Sequence, residues 1–166
     1  MKAARKAMPE GIHSLTPHLV VHGADKAITF YKRAFGAVER FRFNHPGDKR
    51  IGHAHLQIGD SALFLADDFP EYGGSCRTPA ELGGTPVSIH LYVEDMDATF
   101  AQAVAAGATA VMPPQDMFWG DRYGRLTDPF GHSWSIATQK RTPSEAEMRA
   151  GAEAAFGRMA KQKAEA

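Results

Sequence analysis

Only one of the 166 residues, Cys76, is a cysteine, so no disulfide can close within the chain. A reducing compartment is the expected setting. Charge of one sign is not in surplus either: 19 Lys and Arg balance 19 Asp and Glu. With no basic excess to neutralise phosphates, nucleic acid is excluded as an expected partner. No apolar stretch approaches the ~18 residues of a membrane-spanning helix. The opening MKAARKAMPEG is basic but lacks the apolar run of a signal peptide. The expectation is a cytoplasmic protein with no membrane partner. What is present is ordinary for a globular chain, 43% hydrophobic and 23% charged residues, which excludes wholesale disorder. A chain this long should bury roughly 70% of its unfolded surface, enough to fold without a disulfide or a structural metal.

The hydrophobic pattern repeats. An alternating run, Leu15 to His22, reads as a strand, and DKAITFYKRAFG then places Ile28, Tyr31, Ala34 and Phe35 at helical spacing. Asp25 is the candidate N-cap and Gly36 the stop. Strand-like runs follow at Ala37 to Phe43, Ile51 to Ile58 and Ser61 to Ala66, with the turn Gly59-Asp60 between the last two. The second half has the same order: a strand from Val87 to Val93, then a helix opened by Asp95 and ended by Gly107. Three runs succeed it, Thr109 to Met112, Arg122 to Thr127 and Ser133 to Thr138, the last two joined by DPFGH. Caps, stops and turn glycines are 70, 71 and 72 positions apart, which argues for a duplicated βαβββ unit.

The expected organisation is a basic N-terminal tail (1–13), a first module (14–66), a Gly/Pro-rich linker loop (67–85), a second module (86–139) and a C-terminal helix (140–166). Thr142-Pro143-Ser144-Glu145 reads as a capping box for that helix. Met148, Ala152, Ala155, Phe156 and Met159 form its apolar stripe. The fold class is α+β, with two tandem βαβββ modules making a cupped mixed sheet.

TPHLVVHGADKAITFYKRAFGA (16–37), HLYVEDMDATFAQAVAAGA (90–108) and FWGDRYGRLTDPFGHSWSIAT (118–138) resemble the vicinal oxygen chelate superfamily. That superfamily comprises glyoxalases, bleomycin resistance proteins, extradiol dioxygenases and their kin. The phrases resemble its PhnB-like, glyoxalase-like branch in particular, over residues 14–139. The resemblance implies that each module curls into half of a cup that holds a ligand. It also implies a homodimer.

Metal enzymes of the superfamily carry His or Glu at four places on the cup strands. Carried over by spacing from Asp25, Asp95 and the turns, those places fall on His18, Ser88, Ser135 and Leu63, and only His18 can hold a cation. The family metal site would then be largely lost and no cofactor needed. The alternative is a rearranged set of His18, His53, His55 and His90 holding Zn, Ni, Mn or Fe in a metal-dependent lyase, isomerase or dioxygenase. Strand alternation turns His18, His53, His55, His90 and Tyr92 toward the cup, and the repeat adds Tyr123 and Arg125. Trp119 and Arg122 join them as candidate ligand contacts. Such an aromatic and cationic lining suits a small molecule bearing a carboxylate or phosphate. A third possibility, an interaction module, rests on the C-terminal helix and the linker.

Overall fold

The computed structural model describes residues 9–73 and 76–164. The first module runs β1 (His18–Val21), α1 (Ala24–Phe35), β2 (Val38–Asn44), β3 (Ile51–Ile58) and β4 (Ser61–Asp67). A 3-10 turn at Pro70–Tyr72 and the one-turn helix α2 (Pro79–Leu82) bridge to the second module. There follow β5 (Ser88–Tyr92), α3 (Met96–Ala106), β6 (Thr109–Asp116), β7 (Asp121–Thr127) and β8 (Ser133–Gln139), then α4 (Glu145–Ala164). Each module forms its own four-stranded sheet, ordered β1-β4-β3-β2 and β5-β8-β7-β6. The first strand of each lies parallel to its neighbour and the rest pair antiparallel. The fold is thus α+β with two tandem modules and a C-terminal helix.

One face of each sheet is covered by its helix. The apolar face of α1 (Ala27, Ile28, Tyr31, Ala34, Phe35) meets Leu19, Val21, Leu56, Leu63 and Leu65 in the core. Met96, Phe100 and Ala103 of α3 close over Leu126, Trp134 and Ile136. Gly124 permits that contact: a Cβ there would lie 2.5 Å from Met96 Cε and 3.0 Å from Phe100 Cε2. The two helices also pack on each other. Gln102 Nε2 on α3 donates to the Arg33 and Ala34 carbonyls at 2.8 and 3.1 Å, serving oxygens left over at the end of α1.

Several expectations drawn from local sequence give way to longer-range contacts. Asp25 does not cap α1. The N-cap is Gly23, and Asp67 does the capping from 43 residues away, its Oδ1 accepting the Gly23 and Ala24 N–H groups at 2.8 Å. Its Oδ2 accepts Ile51 N–H at 2.7 Å, so Asp67 is buried as the last residue of β4 and does not open the linker loop expected at 67–85. Asp25 instead pairs with Arg42. Asp128, in the DPFGH turn, is buried and joins the modules. Oδ1 accepts the Phe130 and His132 N–H groups, and Oδ2 accepts Tyr31 O–H at 2.7 Å and Trp134 Nε1–H at 2.9 Å. Burial, and then the Asp128 charge, push the Tyr31 phenol well above its ordinary pKa, so it stays a donor.

β6 runs on to Asp116 through Pro113 and Pro114, past the expected end at Met112. An edge strand with bulges tolerates prolines, because its outer N–H groups have no ladder partner to lose. The capping box of α4 is Ser144 with Glu147, two residues later than expected. Ser144 Oγ accepts Glu147 N–H, and Glu147 Oε2 accepts Ser144 N–H at 2.7 Å. Among its described side chains the α4 stripe is not buried: Phe156 is 68% exposed. No helix among the described residues is long and apolar enough to cross a membrane.

Candidate functional site

Covering one face of each sheet with a helix leaves the other face open. On the first sheet a row of directly paired residues crosses that face: Phe41, His55, Phe64 and His18. The next row holds Phe43 and His53. The rings touch edge to face, with centroids 5.7 Å apart for His18 and His53, 4.9 Å for His53 and Phe64, and 5.1 Å for His55 and Phe64. Phe41 and Phe43 are 57% and 49% exposed, so nothing among the described residues covers them. Partial burial of the ring, and then His53, lower the pKa of His18. Burial, His53 and Arg40 lower that of His55. These imidazoles are held toward the neutral form, and His55 Nε2 has no hydrogen-bond partner among the described residues.

The second open face is more polar. Its equivalent row is Met112, Arg125, Ser135 and His90. His90 Nδ1 lies 2.7 Å from Ser135 Oγ. The His90 ring meets Tyr92 edge-on at 4.6 Å and stacks near Tyr123 at 6.1 Å. Trp119 stands edge-on to Tyr123 at 5.5 Å. Behind these rings the buried carboxylate of Asp121 fixes two of them: Oδ2 accepts Tyr92 O–H and Trp119 Nε1–H, each at 3.0 Å. That hydrogen bond, ahead of burial, raises the Tyr92 pKa. Burial lowers that of His90 and the Asp121 charge opposes it. Arg125 is exposed and forms no ion pair among the described residues.

The residues singled out from sequence therefore fall into two groups that do not meet. His18, His53 and His55 share the first sheet, while His90, Tyr92, Trp119, Tyr123 and Arg125 share the second. Arg122 belongs to neither. It turns to the opposite face of β7 and pairs with Asp97 of α3 at 2.9 Å and Asp116 at 3.4 Å.

Strand pairing also changes which residues correspond between the repeats. His18 pairs with Phe64, and His90 with Ser135. The counterpart of His18 is thus His90, 72 positions on, and not Ser88, which sits beside Ser133 two residues away along the strands. The α1 N-cap is Gly23 and that of α3 is Asp95, so the caps too are 72 positions apart. Leu63 pairs with Leu56 and is buried under α1, so the residue that shares the open row is Phe64.

A divalent metal does not fit either face. Among the described residues no three His, Cys, Asp or Glu side chains converge. The strand partners of His18 and His90 are Phe64 and Ser135, and neither offers a carboxylate. His53 and His55 share a strand with no acidic group beside them, and His90 is on the other sheet. A stable site wants three or four such donors around one point.

Sequence reasoning missed Asp121, Phe64, Phe156 and Arg158. Only Phe64 had an available signal, the alternation of β4. A cleft of about 580 Å³ opens between the β3–β4 turn and β5, with Leu15, Pro17, His90 and Tyr92 among its walls. A second hollow, about 620 Å³, lies between the Trp119–Tyr123–Arg125 side of the second sheet and α4.

Two tandem βαβββ modules, each with a helix on one face and an open sheet face on the other, define the glyoxalase-like class of cupped α+β proteins. The chain belongs to the Glyoxalase/Bleomycin resistance protein/Dioxygenase superfamily, whose family model matches residues 11–136. It is 50% identical over 138 residues to an uncharacterized protein of Mycobacterium tuberculosis H37Rv, covering 82% of this chain and 81% of that one. Its structure is similar to that of TioX from Micromonospora sp. ML1 (TM-score 0.61, 30% identity, 76% of this chain and 98% of the other). It shares its fold with a PhnB protein from Bacillus cereus (TM-score 0.58, 21% identity, 76% and 99% covered).

Proposed function

We propose that this protein is a small-molecule-binding member of the glyoxalase/bleomycin-resistance type that needs no metal and acts in the cytoplasm as a homodimer. One observation carries the reading. The second open face gathers His90, Tyr92, Trp119, Tyr123 and Arg125, with no converging set of metal donors among the described residues. The aromatic edges and faces supply contact area at small entropic cost, and Tyr92 and Trp119 are held in place by Asp121 before a ligand arrives. Arg125 supplies an unneutralised donor pair for an oxyanion. The first face complements it. Its exposed Phe41 and Phe43, with His18 and His55 held toward the neutral form, make a surface that a second copy of the chain would cover.

The test is metal analysis of untagged protein joined to sedimentation. Less than about 0.1 equivalent of Zn, Ni, Mn or Fe per chain is expected, with a dimer at micromolar concentration. One tightly bound ion per chain would overturn the metal-free reading, and a monomer would remove the dimer.

A further inference from the structure

The hollow beneath α4 is built from two elements that the duplicated fold does not require to meet. Gly151 brings them together. A Cβ at that position would lie 2.6 Å from Phe118 Cβ, so the helix rests against the chain just before Trp119. Ala155 and Arg158, four and seven residues further along α4, are on the same helical face, with Phe156 beside them. All three line the hollow, opposite Trp119, Tyr123 and Arg125. At about 620 Å³ the space is in the range of small-molecule sites.

Its charge is unbalanced in one direction. The neighbouring cations Arg122, Arg141 and Arg149 each face a carboxylate: Asp97 and Asp116, Glu147, and Glu145. Arg125 and Arg158 have no such partner among the described residues. Asp116, the acidic side chain on the rim, is already engaged by Arg122. The same hollow has flat aromatic walls. Trp119 is fixed edge-on to both Phe118 and Tyr123, and Phe156 stays largely exposed above. Two cations without counter-ions beside an aromatic slot suit a flat ring carrying an acidic group.

We infer that this hollow binds an aromatic acid, with its ring between Phe156 and the Trp119–Tyr123 wall and its oxyanion between Arg125 and Arg158. The inference rests on the binding reading above and narrows it to one ligand class and one pocket, completed by the chain's own C-terminal helix.

The test compares two fluorescent probes that share a ring system, 8-anilinonaphthalene-1-sulfonate and the uncharged N-phenyl-1-naphthylamine, titrated into the full chain. The sulfonate is expected to saturate at one per chain, with energy transfer from tryptophan that falls in Trp119→Phe. Arg125→Gln and Arg158→Gln should each weaken the sulfonate by about tenfold or more, the loss of a charge-assisted hydrogen bond. Binding of the neutral probe should change by less than about twofold. Phe156→Ser should weaken both. Both arginines are exposed, so these variants are expected to fold.

Sulfonate binding that survives Arg125→Gln/Arg158→Gln overturns the inference. If the neutral probe then still saturates and Tyr123→Ala weakens it, the binding face stands and only the acid preference falls. If neither probe saturates and Tyr123→Ala changes nothing, the binding reading falls too.

Discussion

Replacing Asp128 by Asn tests whether the two modules are held together as described. The carboxylate is 4% exposed and accepts four hydrogen bonds, two from backbone N–H groups on Oδ1 and two from Tyr31 and Trp134 on Oδ2. Asparagine has the same shape but only one acceptor oxygen, so its NH2 must face two donors whichever way it is turned. Two bonds to a charged acceptor are lost, at about 1.5–3 kcal/mol each, and two buried donors are stranded. Relief from burying a charge returns part of this. The net expectation is a loss of about 3 kcal/mol or more, which at ~2–4 °C per kcal/mol moves Tm by roughly 6–12 °C. Urea unfolding is the assay, read by the fluorescence of Trp134 and by circular dichroism. Tyr31→Phe removes one donor and should cost about 1.5–3 kcal/mol alone, but much less in the Asp128→Asn background. A loss below about 1 kcal/mol, or strict additivity of the two changes, would refute the account of the junction.

Two further outcomes can be checked with the same unfolding assay. Asp67→Ala strands the Gly23, Ala24 and Ile51 N–H groups at once. It should cost about 3 kcal/mol or more, whereas Asp25→Ala, which removes only a surface pair, should cost under about 1 kcal/mol. If Asp25→Ala proves the more damaging, the capping assignment is wrong. Stability should also depend on pH through His18, His55 and His90, whose pKa values are all lowered from 6.5 in the fold. The unfolded chain takes up their protons near 6.5 while the folded chain resists, so stability falls as pH drops through that region. The urea midpoint should be lower at pH 5.5 than at 7.5, with the difference reduced by replacing the three with Gln. A flat or opposite dependence in the parent protein would contradict it.

The architecture was legible because periodicity and turn chemistry are local. Ile51–Ile58 was bounded by its alternation, and Gly36 and Gly107 by the ends of helical stripes. The errors share a cause, which is that a nearby residue was given work done by a distant one. Asp25 has the composition of a cap, but Asp67 reaches the helix end first because β4 delivers it there. Thr142 and Ser144 each precede a Glu three residues on, and the reciprocal bonds form at Ser144 and Glu147. For the candidate site, alternation placed His18, His53 and His55 on the open face of one sheet and His90, Tyr92, Tyr123 and Arg125 on that of the other. It could not find Arg158 or Phe156, whose place depends on how α4 folds back. Arg122 and Arg125 are alike in sequence, and their separation is decided by parity on β7 and by Asp97 waiting on α3.

Matching the repeats by strand register, and not by their caps, shows where the modules diverged. The two open rows superpose as His18 with His90, Phe64 with Ser135, His55 with Arg125 and Phe41 with Met112. The first strand keeps an imidazole in both. The other three places change together, from rings that are apolar or held toward neutrality to a hydroxyl, a permanent cation and a flexible thioether. A face of the first kind gains by excluding water and has nothing with which to orient a polar ligand. A face of the second kind can orient one, since Ser135 lies 2.7 Å from His90 and Arg125 has no counter-ion among the described residues. Under the proposed function, duplication thus yields one module that presents a surface for association and one that reads the ligand. The decisive change is His55 to Arg125, because only there does the row acquire a charge that no change of pH in the physiological range removes.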